Sequence, residues 1–110
     1  MARVVLVEDD TDTIELIREL NKNVEGVYYP KMEISKFIIS MREQPPEVLV
    51  MAGLYGEWKP LYDTLIKEKC LPKRTILWSG DFDCLDEAER CGVETCLKSD
   101  GVKLWKSLRE

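Results

Sequence analysis

The sequence predicts an α/β fold: five parallel strands in the order 2-1-3-4-5, covered by helices on both faces as a doubly wound, three-layer sandwich. Three observations carry this. Short apolar runs rich in β-branched residues alternate with longer stretches of helical apolar spacing along the chain. The first and third runs, residues 4–7 and 48–51, are apolar throughout, as strands covered on both faces of a parallel sheet must be. Prolines and glycines punctuate the boundaries between the two patterns.

The elements follow in order. Residues 4–7 form the first strand, and Ile14, Ile17, Leu20 and Val24 mark the inner face of the first helix, with Asp12 and Glu15 placed for a capping box. Residues 27–29 make a shorter, more polar second strand suited to an edge, followed by Pro30. Ile34, Phe37, Ile38 and Met41 recur at i, i+3, i+4, i+7 in the second helix, which Pro45-Pro46 separates from the third strand, 48–51. Trp58, Leu61, Tyr62, Leu65 and Ile66 define the third helix, and residues 75–78 the fourth strand. Phe82, Leu85 and Ala88 give a shorter fourth helix, with Gly92 at its C′ position. Residues 95–97 are the fifth strand, and Val102, Trp105 and Leu108 the fifth helix, with Trp105 expected in the core. Strand–helix alternation makes βαβ units, and right-handed crossovers wind them into the sandwich.

Length fits a single domain spanning 1–110. A composition of 45% hydrophobic and 34% charged residues reads as globular. The net charge of −5 and the lack of any basic run argue against nucleic-acid binding, which needs a Lys/Arg stripe to neutralise phosphates. No apolar stretch approaches the ~20 residues of a membrane span, and Met1-Ala2-Arg3 leads straight into a strand without a signal-peptide core. A cytoplasmic protein is expected. Cys70, Cys84, Cys91 and Cys96 contain no C-x-x-C and the chain has no histidine, so they read as small buried hydrophobes rather than zinc ligands or disulfides.

In doubly wound sheets the functional crevice lies at the carboxyl ends of the strands. The first strand ends in Glu8-Asp9-Asp10, the fourth in Ser79 and the fifth in Lys98. Three adjacent acids repel one another and need an offset: a hydrated Mg²⁺, the Lys98 ammonium, or the N-terminus of the following helix, which the acids would cap. The third strand ends in Met51-Ala52-Gly53, without a carboxylate.

Acids after strand one, a hydroxyl after strand four and a lysine after strand five resemble the receiver domain of bacterial response regulators, of the chemotaxis-regulator type, over essentially the whole chain. The segment from Arg3 to Asp10 is similar to that family's first strand and acidic pair, the segment from Ile76 to Gly80 to its fourth strand, and the segment from Thr95 to Lys98 to its fifth. The resemblance implies a flavodoxin-like fold and a pocket that takes a phosphoryl group from a histidine kinase onto an aspartate ending strand three. Carried over, Glu8 and Asp9 match the Mg²⁺-binding pair, with Asp10 an extra acid. Ser79 and Lys98 match the switch hydroxyl and the phosphate-contacting lysine. Thr95 or Cys96 falls at the aromatic switch position. The acceptor falls on Ala52 if Pro46-Glu47 is aligned to the family's lead-in to strand three, or on Met51 if Leu54 is aligned to the apolar residue after the acceptor. The spacing from Asp9 favours Ala52. Neither residue has an oxygen nucleophile. Other departures are Ser99 where a proline follows the lysine, and Tyr55-Gly56 where a proline follows the acceptor loop.

The expectation is therefore a stand-alone pseudo-receiver, not an enzyme. It requires no cofactor and holds Mg²⁺ weakly at most through Glu8, Asp9 and Asp10; without metal, Lys98 pairs with Asp9. It acts by binding signalling proteins, a histidine kinase or a downstream effector, as a monomer or weak homodimer, or as a fragment of a larger regulator. One alternative is a receiver switched by metal, a small ligand or phosphorylation at another residue such as Ser79. A second is an unrelated flavodoxin-like binding module or enzyme. Against it stands the lack of a Gly-rich phosphate loop after strand one.

Overall fold

The computed structural model describes residues 3–109. Five strands, β1 (Val4–Glu8), β2 (Val24–Tyr28), β3 (Val48–Ala52), β4 (Arg74–Ser79) and β5 (Glu94–Leu97), alternate with five helices. The helices are α1 (Thr11–Leu20), α2 (Ile34–Glu43), α3 (Trp58–Lys67), α4 (Phe82–Arg90) and α5 (Gly101–Ser107). All strand pairs are parallel, in the order β2-β1-β3-β4-β5. The fold is flavodoxin-like.

Strand alternation divides the core in two. Val5, Val7, Leu49, Met51 and Leu77 face one side and pack with Phe37 and Met41 of α2, Trp58, Leu61 and Leu65 of α3, and Leu85 of α4. Val4, Leu6, Val48, Val50 and Ile76 face the other side and pack with Ile17 of α1 and with Leu104, Trp105 and Leu108 at the C-terminal end. β1 and β3 are buried along their whole length, whereas the edge strands β2 and β5 are largely half-buried. Trp105 is fully buried, as its helical spacing suggested.

Several local expectations change. Val24 does not continue the first helix; it opens β2, opposite Val4. The buried Asn21 ends α1, donates to the Trp105 carbonyl and accepts from the Asn23 backbone N–H, so the chain turns into the sheet early. β2 therefore ends at Tyr28, Tyr29 joins a short 3₁₀ turn with Pro30, and β2 is as long as β1. Asp10, not Asp12, caps α1. Ile34, Ile66, Phe82 and Val102 are exposed; all but Ile66 lie in the first turn of a helix. Of the cysteines only Cys70 is buried, while Cys91 is exposed, and all four are free thiols. The Gly92 expectation holds: its φ of 78° supplies the left-handed C′ position after α4.

Candidate functional site

The polar strand ends meet where the order of the strands brings the carboxyl ends of β1, β3, β4 and β5 side by side. Asp9, Ala52, Ser79 and Lys98 line one open depression of about 270 Å³, together with Tyr55 and Cys84. Met51 is fully buried and packs into the core. Of the two acceptor alignments, Ala52 is the one that fronts the depression.

The three acids after β1 part company. Glu8 is fully buried. Its carboxylate accepts from the Asp9 backbone N–H at 3.1 Å and from Lys98 Nζ at 3.2 Å. Loss of water on burial, and then the neighbouring Asp9 carboxyl, push the Glu8 pKa up to about 7 against the opposing pull of Lys98. Asp9 is half-buried and faces the depression. Asp10 turns outward: one oxygen accepts from the Asp12 N–H at 3.0 Å and the other from the Thr13 hydroxyl at 2.9 Å. Those bonds, the hydroxyl first, hold its carboxyl below the usual range. Asp10 is thus the α1 cap. The lysine pairs with Glu8 rather than with Asp9, because Glu8 is the acid whose burial leaves it needing a partner.

Lys98 follows β5 directly. Its ammonium also lies 4.8 Å from the centre of the Trp78 ring, a cation–π contact. Trp78 meets Trp105 edge-on, with ring centres 5.4 Å apart. A Cβ at Gly101 would come within 2.8 Å of the Trp78 indole, so α5 can start against this ring only with a glycine there. Lys98 is thereby connected through Trp78 to the packing of α5.

The β4 side is a turn. Ser79 Oγ accepts from the Asp81 N–H at 3.0 Å, and Asp81 accepts from the Asp83 N–H at 2.9 Å to cap α4. Gly53, directly after Ala52, passes so close that a Cβ would lie 2.9 Å from Ser79 Oγ. Leu54 and Tyr55 follow with φ of 54° and 53°, then Gly56 at 90°. Two non-glycine residues in the left-handed region mark a strained loop. It leaves Leu54 buried and Tyr55 99% exposed at the rim. The Cys84 thiol is pushed up by burial and then by Asp81, which keeps it a poor nucleophile.

Sequence reasoning names Gly53, Tyr55 and Cys84 without giving them a place in the pocket, and passes over Asp81. Gly53 carried a readable signal, a glycine at the end of a buried strand; the other three are ordinary loop and helix residues. Thr95 and Cys96 do not reach the depression. Thr95 donates to Glu89, and Cys96 packs beside Trp78. A receiver's Mg²⁺ would need carboxylates converging on one point. Here Glu8 is taken by Lys98, Asp10 caps a helix and Ala52 offers no side-chain oxygen, which leaves Asp9 as the one carboxylate of the three facing the depression. No group of three or more candidate ligands forms among the described residues. These residues do not fit that ion.

No protein-family model matches this chain, and no curated protein matches it. Among solved structures it is similar to a de novo designed Rossmann 2x3 fold protein determined by solution NMR. The TM-score is 0.65 at 13% identity, over 88% of this chain and 78% of the design. That likeness speaks for the α/β fold alone. No helix among the described residues is long and apolar enough to cross a membrane.

Proposed function

We propose that this chain is a receiver-like signalling domain of the two-component type, cytoplasmic and non-enzymatic. It takes no phosphoryl group at the end of β3 and acts through contacts with signalling proteins. One observation carries the reading: Ala52 occupies the end of β3 in a depression it shares with Asp9, Ser79 and Lys98. A receiver pocket needs a nucleophile there and a free cation beside it. This one has a methyl group, and a lysine held by a buried carboxylate. An input that works by phosphorylation has no differential purchase on such a pocket, so the domain presents one fixed surface to its partners.

The test is incubation of wild type and Ala52→Asp with acetyl phosphate and Mg²⁺, read by intact mass. Wild type stays unmodified and the variant gains a phosphoryl group. Modification of wild type at Ser79 or any other pocket residue would overturn the proposal in favour of a receiver switched elsewhere. An unmodified Ala52→Asp beside a modified Met51→Asp would move the acceptor position by one.

A further inference from the structure

On the α2 side of the sheet, against the edge strand β2, lies a second cavity of about 400 Å³ that shares no lining residue with the strand-end depression. That volume is in the range of small-molecule sites, which pair an apolar floor with a few placed polar groups. Its floor is apolar: Val5 and Val27 from the sheet, Phe37 and Met41 from α2, and Met32 from the connection between them. Its charges are Arg3, Lys31 and Lys36 against Glu25 and Glu33. Both acids are already engaged, Glu25 by Arg3 at 3.0 Å and Glu33 by Lys36 at 3.0 Å. Lys31 makes no ion pair among the described residues and is the surplus cation, on a chain whose net charge is −5.

We infer that this cavity binds an amphiphilic monoanion, an apolar carboxylate whose tail covers the Val27–Met32–Phe37 floor and whose head meets Lys31. A cation would face the surplus lysine, and a polar anion would leave the floor wet. Met32 also lines a neighbouring apolar cavity of about 360 Å³, floored by Tyr29, Pro30 and Leu61. Methionine is unbranched and adapts its shape readily, so Met32 is the side chain through which the two cavities adjoin. The site is independent of the proposed signalling role.

The test is a titration of the full chain with decanoate, followed by amide chemical shifts, beside decyltrimethylammonium (same tail, opposite head) and acetate (head without tail). Decanoate is expected to shift Val27, Met32 and Phe37 saturably, and the two controls to leave them unmoved. Lys31→Glu weakens decanoate at least fivefold, and Ser40→Trp, which fills the cavity from its half-buried rim, abolishes binding while the rest of the spectrum stays folded. Equal shifts with the cationic amphiphile would reduce the effect to non-specific adsorption and overturn the proposal. So would decanoate binding that survives Ser40→Trp, or an absence of shifts at these residues.

Discussion

β1 and β3 are neighbours, paired from Val4–Val48 to Val7–Met51, equally buried and of equal length, and they end at the same edge of the sheet. Beyond that point they differ. β1 ends in three carboxylates with three different roles. Glu8 binds Lys98, Asp9 faces the depression and Asp10 caps α1. β3 ends in a methyl group, then in a glycine squeezed against Ser79 and a left-handed loop. The difference teaches that adjacent acids in sequence divide in space: Glu8 and Asp9 stay neighbours, and Asp10 leaves to cap α1. The end of β3 carries no carboxylate at Ala52, and the Lys98 ammonium pairs with Glu8 instead.

That comparison can be broken at four places. The largest effect is expected from Lys98→Met, which leaves Glu8 buried without its cation. Removing one partner of a buried pair costs about 3–5 kcal/mol; since the Lys98 side chain is 39% exposed, we expect about 2–3 kcal/mol at pH 8. Denaturation at pH 5 should recover most of it, because Glu8 is then protonated. Ala52→Asp comes next. A second carboxylate at a position only 1% exposed competes for Lys98 and should cost about 2 kcal/mol without metal. Millimolar Mg²⁺ should reverse part of that loss in a thermal melt, while wild type shows no such dependence.

Glu8→Gln tests the sign of the proton linkage. The folded pKa of about 7 stands above the ordinary 4.5, so the native state binds the extra proton between those values. Glu8 therefore makes the wild type lose stability as pH rises from 4.5 to 7, by on the order of 1 kcal/mol per unit. The Gln variant should lose that component of the slope; an unchanged slope would place the titration elsewhere. The smallest effect is that of Asp10→Ala, about 1 kcal/mol from the lost cap, with no change in the behaviour of Lys98. A larger loss accompanied by release of Lys98 would mean that the acids act together after all.

Much of this architecture was legible beforehand because periodicity is a direct imprint of burial. The unbroken apolar runs of β1 and β3 and the i, i+3, i+4 spacing at Phe37 and Met41 could satisfy only a sheet covered on both faces. The sequence pattern starts β2 too late because Glu25 and Gly26 carry little strand preference; its register comes from pairing with β1 and from the close approach of Ile14 to Gly26. At the site, the order of strand ends located Ser79, Lys98 and Ala52. Which acid would take the lysine was not readable, because that depends on the burial of Glu8 relative to Asp9, a tertiary quantity. Thr95 and Cys96 enter only through the family resemblance, and the direction of their side chains is set by β5 pairing at the edge.

The central claim is that Lys98 is held on the buried Glu8 and is not free to serve the end of β3. The most direct measurement is the ¹⁵N chemical shift and hydrogen exchange of the Lys98 ammonium in wild type, Glu8→Gln and Ala52→Asp. A slowly exchanging, shifted ammonium is expected in wild type at pH 8, a fast-exchanging one in Glu8→Gln, and a resonance displaced to a new environment in Ala52→Asp. A wild-type ammonium that exchanges as freely as an exposed lysine, unchanged by Glu8→Gln, would contradict the claim.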